Sequence, residues 1–119
     1  MLILVTGFIF HVRHESAFVP DGLACLRNGL RYSIPAALLF WFLLSRGAVL
    51  YPKLTGAAAG GFAGLIGLSV LEVQCSNLNV YHILLWHWGV ILLCSAGGLS
   101  LGAAVEYIRR RGSHRSSPI

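Results

Sequence analysis

The sequence predicts an all-α integral membrane bundle, with three main transmembrane helices and a short further hydrophobic helix at the N-terminus. Three observations carry this. Hydrophobic residues fill 56% of the 119 positions and charged residues 11%, where a typical soluble domain has about 25% charged. A soluble globule this small buries only about 60–70% of its chain surface and needs a polar coat, which nine basic and four acidic side chains cannot supply. The remaining residues are gathered into long uncharged runs. The same composition excludes a disordered chain, and three cysteines are too few for a disulfide-dense secreted scaffold.

A spanning helix needs about 20 mostly apolar residues, since each adds about 1.5 Å across a core of about 30 Å. Met1–Val12 is apolar throughout but gives only about 18 Å of helix. It lacks the basic region and small-residue cleavage site of a signal peptide, so it is expected to be the trailing end of a longer helix. Residues 13–22 then form a loop. The next span, about 23–45, joins an amphipathic lead-in, where Arg27 and Arg31 lie one turn apart, to a deep apolar part from Ser33 to Ser45. Arginine stems lie along apolar surface with their heads among lipid headgroups, and Pro35 removes one ladder bond. The second span, 54–71, has no charge over 18 residues, and the third, 83–105, none over 23.

Alternating spans place Arg46, Lys53, Arg109, Arg110, Arg111 and Arg115 on one side, with Glu106. Arg13, Arg27 and Arg31 lie on the other side, matched by Glu15, Asp21 and Glu72. Six basic residues against three put the 46–54 loop and the basic tail, 109–119, in the cytoplasm. The tail is a stop anchor against anionic lipid and calls for no direct nucleic-acid partner.

Lipid gives no hydrophobic drive between helices, so association needs close backbone approach. Gly56, Gly60 and Gly64 form two overlapping GxxxG steps, and Gly98 and Gly102 form another in the last helix. Together they predict tight pairing of the second and third spans. A homodimer or a membrane partner docked on the same ladder is the competing use.

Cys25 lies near the start of one span and Cys75 just past the end of the next, which puts both at the outer face within mutual reach. There they can form a disulfide or hold a soft metal ion. His82, His87 and Glu72 are near the same face, but their spacing is no clean metal motif. His82 shares a helical stripe with Trp86 while His87 is expected to face elsewhere, so structural roles are expected for both histidines, with a metal site of Cys25, Cys75, His82 and His87 as the secondary reading. Cys94, mid-span, reads as a small buried hydrophobe. Trp86, Trp88, Tyr51, Tyr81 and Tyr107 suit the interfacial belts, with Trp41 deeper and packed. No nucleophilic triad, phosphate loop or paired intramembrane carboxylate is recognisable, and a non-catalytic role is expected. No resident cofactor is called for, only a transient soft or heavy metal ion.

The stretches CLRNGL at 25–30, IPAALLFWFLLSRG at 34–47, TGAAAGGFAGLIG at 55–67 and QCSNLNVYHILLWHWGVIL at 74–92 resemble the C-terminal half of the NrsF-like membrane anti-sigma factors, over about Asp21 to Glu106. The resemblance implies a multi-pass protein of the bacterial inner membrane that holds an extracytoplasmic-function sigma factor inactive and releases it under redox or heavy-metal stress. Its two periplasmic-side sensing cysteines fall on Cys25 and Cys75. Ser76 stands where the family commonly has proline after the second cysteine. The resemblance also implies that the sigma factor is bound through a cytoplasmic segment ahead of this chain. A small structural or accessory subunit of a membrane complex is the alternative.

Overall fold

The computed structural model describes residues 18–76 and 79–115. The hydrophobic segment 1–12 and the first part of the 13–22 loop lie outside the described residues. Among the described residues the chain is all-helical, with three helices and no strand. Helix α1 spans Phe18–Ser45 and α2 spans Pro52–Gln74. Helix α3 runs from Val80 to Arg115, with a π turn at Ile83–His87.

All three helices outrun their expected bounds. Residues 18–22, expected in a loop, are helical, and Asp21 in the first turn suits the positive end of the helix dipole. Residues 109–115, expected in the tail, continue α3. Helix α1 ends in tightened bonds from Arg46 N–H to the Leu43 carbonyl and from Gly47 N–H to that of Leu44. Pro52 opens α2 at a position where a missing N–H costs nothing. At its far end Cys75 turns extended (φ −84°, ψ 117°), its N–H still bonded to the Leu71 carbonyl at 2.7 Å. The side chain of Asn79 accepts the Tyr81 N–H at 3.0 Å and starts α3.

Helices α2 and α3 meet almost backbone to backbone. A Cβ on Gly56 would collide with the Gly98 carbonyl, and one on Gly60 with the Cys94 carbonyl. On Gly64 it would lie 2.7 Å from the Ile91 Cα, and on Gly102 it would strike the Pro52 carbonyl. The ladder is therefore taken up within the chain. Helix α1 crosses α2 at a second small-residue contact, where Gly67 faces Ser33 and the Gly29 carbonyl. Ser33 is 2% exposed and donates to the Gly29 carbonyl at 2.9 Å, which satisfies its hydroxyl without water.

Helices α2 and α3 are each long and apolar enough to cross a membrane, with mean hydropathy reaching 1.7 and 1.8. Helix α1 does not meet that measure, because Asn28, Arg31 and Ser33 interrupt the apolar part that ends at Ser45. Large apolar side chains cover the outside of all three, among them Leu38, Leu54, Phe62 and Leu92. Trp41, expected to pack, is 50% exposed. The hydroxyls of Ser69 and Ser100 bond the carbonyls of Leu65 and Ala96, one turn back along their own helices.

Candidate functional site

The start of α1, the end of α2 and the start of α3 converge at one end of the bundle. Cys25 lies in the second turn of α1, Cys75 caps α2, His82 precedes the π turn and His87 is its last residue. One ligand atom from each of the four lies within 4.8 Å of every other. Cys25 Sγ and Cys75 Sγ are 3.4 Å apart, and Cys75 Sγ is 3.7 Å from His82 Nε2. Both thiols are half-buried, while His82 is 0% and His87 2% exposed. Glu72, placed by the sequence near this face, is exposed and stands outside the four.

The histidine rings lie edge to face, 5.5 Å between centroids. Phe18 packs against His82 and Trp86 at 6.3 and 6.1 Å, and the Trp86 indole covers Gly22, where a Cβ would clash with it. Gly22 is thus what lets α1 close over the site. Among the described residues, His82 Nδ1, both ring nitrogens of His87 and Trp86 Nε1 are buried without a hydrogen-bond partner. Buried polar atoms in native proteins are nearly all satisfied, so four together need an explanation.

His87 does not face away from His82, as an α-helical wheel predicts. Positions five apart on an α-helix point about 140° apart. Here the Trp88 N–H reaches back to the Ile83 carbonyl, and this wider turn brings residues five apart onto one face. Such π bulges occur frequently at functional sites. The cysteine pair was readable from its depth in the two spans, whereas the histidines depend on a local winding that spacing does not reveal. The Gly29–Ser33 step was also overlooked, although its small-xxx-small spacing is readable.

The opposite end of the bundle is basic. Glu106 pairs with Arg110 at 2.6 Å and with Lys53 at 3.5 Å, tying the start of α2 to the end of α3. The Arg110 hydrogen bond, with Lys53 assisting, holds the Glu106 carboxyl below the usual carboxylate range. Arg109 donates to the Val49 carbonyl at 2.8 Å. Arg46 lies 4.1 Å over Phe42 and Arg111 4.6 Å over Tyr107. The six basic residues assigned to this side by the sequence thus gather around the α1–α2 loop and the end of α3. Cys94 lies mid-bundle against Gly60 and Gly64, away from the other thiols.

The family described as negative regulator of sigma F, NrsF, matches residues 4–105. The match begins well ahead of Asp21, where the resemblance read from motifs began. No curated protein and no solved structure matches the chain.

Proposed function

The chain belongs to the NrsF family, and from that premise we propose that it is a non-catalytic, membrane-embedded negative regulator of an extracytoplasmic-function sigma factor, with Cys25 and Cys75 as its sensory input. The family match supports negative regulation of a sigma factor. The observation that carries the sensory part is the 3.4 Å approach of two thiols from separate helices, at the end of the bundle remote from the basic cluster. All three helices cross the bacterial inner membrane, with the cysteine end periplasmic and the C-terminus cytoplasmic. Exposed apolar side chains along α1 and the excess of basic residues at one end support this arrangement.

Two thiols in this position have two chemistries. An oxidant that removes two electrons and two protons closes them to a disulfide of about 2.05 Å. A soft or heavy metal ion replaces the two protons and bridges the sulfurs. Either event ties α1 to the end of α2 and changes the angle between them, which reaches the cytoplasmic end through the rigid helices. The signal is then a difference in sigma-factor affinity between the two arrangements.

The test is the double substitution C25S/C75S in the full-length protein, reading sigma-dependent transcription with and without oxidant or metal stress. Induction is expected to disappear while protein level is retained. Unchanged induction would remove both cysteines from sensing.

A further inference from the structure

We propose that Cys25, Cys75, His82 and His87 form a tetrahedral site for a divalent ion of the zinc class. The proposal deepens the sensory reading above by naming the ligand of the same site, and it stands on three features.

The first is distance. Zinc–sulfur bonds of about 2.3 Å and zinc–nitrogen bonds of about 2.0–2.1 Å put the ligand atoms of a tetrahedron about 3.3–3.8 Å apart. The thiol–thiol and thiol–imidazole pairs are at 3.4 and 3.7 Å, and all four ligand atoms lie within 4.8 Å of one another. Shifts of about 1.5 Å at most complete the coordination sphere.

The second is the state of the histidines. A disulfide would use only the sulfurs and leave two buried imidazoles facing it with nitrogens unpartnered among the described residues. A metal ion takes one nitrogen from each, His82 Nε2, which faces the Cys75 sulfur at 3.7 Å, and one of the two unpartnered nitrogens of His87. The π turn supports this, because it brings His82 and His87 to the same face of α3.

The third is charge. Binding releases one proton from each thiol to solvent, and the two thiolates balance the divalent ion while both imidazoles stay neutral. The site is uncharged before and after, as a partly apolar location requires. A monovalent soft ion on the same ligands would leave a net negative charge there. Two sulfurs and two nitrogens in a tetrahedron are the donor set that selects zinc among common divalent ions.

The experiment uses the full-length reduced protein in detergent, titrated with Co(II) as spectroscopic probe and then with Zn(II). Expected are one Co(II) per chain, visible bands of a tetrahedral centre with thiolate charge transfer, two protons released per ion, and stoichiometric displacement by Zn(II). H82Q and H87Q, with helical content checked by circular dichroism, should each weaken binding by more than the roughly 10–100-fold typical of losing an outer-shell partner. An octahedral spectrum, absence of thiolate charge transfer in the wild type, or unchanged affinity in both histidine variants overturns the site. The two levels separate cleanly. A wild type that binds as expected, with C25S/C75S cells that still respond, keeps the metal site and removes its sensory role. A wild type that does not bind, with C25S/C75S cells that have lost induction, overturns the metal site and leaves thiol sensing standing.

Discussion

A Cβ on Gly60 would strike the Cys94 carbonyl, whereas one on Gly97 would meet nothing within 4 Å. The two glycines lie at a similar level of the α2–α3 pair and differ in what lies opposite, so they form a controlled pair. Gly60→Ala must push two backbones apart and is expected to destabilise by about 1–3 kcal/mol. Gly97→Ala should change stability by no more than about 0.5–1 kcal/mol, in the favourable direction given alanine's helix propensity. Denaturant unfolding in micelles reads both, and equal effects would mean that the close approach contributes nothing. His87 offers a prediction of opposite kind. With both ring nitrogens buried and unpartnered among the described residues, His87→Leu should stabilise the metal-free protein by about 1–3 kcal/mol while abolishing Co(II) binding. A lower melting temperature in chelator would show that the imidazole had a partner worth keeping. At this scale the sequence was most informative about glycines and thiols, whose roles follow from size and depth. It was least informative about His87, whose direction depends on a backbone bond pattern.

Helix α3 shows why elements were legible and their details were not. Its uncharged run marks a span directly, but charge-free length cannot say where a helix stops, and the helix continues through Arg109–Arg111 to Arg115. An α-helix tolerates charges once past the apolar layer, so apolar bounds underestimate helical ones. The same reasoning extends α1 back to Phe18. The π turn yields an element-scale prediction. Deleting Leu85 turns the five-residue histidine spacing into four, which an ordinary α-helix already places on one face. That deletion should remove the π turn and retain metal binding. Inserting one alanine after Leu85 should disperse the histidines and abolish binding. Titration with Co(II) distinguishes them, and loss of binding in both would show that the turn does more than align two rings.

Across the whole molecule the two ends differ chemically, with the paired thiols and buried imidazoles at one and the larger share of the guanidinium groups at the other. Orientation in the membrane should follow from the basic end. Replacing Arg46, Lys53, Arg109, Arg110 and Arg111 with glutamine is expected to randomise insertion, read by reporter fusions at the C-terminus. A uniformly cytoplasmic reporter would mean that other signals orient the chain. The Glu106 clamp adds a pH dependence. Its carboxyl titrates below the ordinary value of 4.5, so its contribution is present above that value and fades as pH falls through the lowered one. A carboxyl titration followed by NMR should show this, and K53M combined with R110M should return the midpoint toward 4.5.

Helix α1 rests on its neighbours unevenly, and this has a mechanical result. It meets α2 through small residues at Gly29 and Ser33, nearer to Cys25 than to Ser45. Treated as a rod turning about that crossing, α1 is a lever with a short arm of about 9 Å and a long arm of about 21 Å. Each ångström drawn in at Cys25 would swing Ser45 by about 2 Å, a displacement that spin labels at Ser45 and Thr55 would register on adding Zn(II).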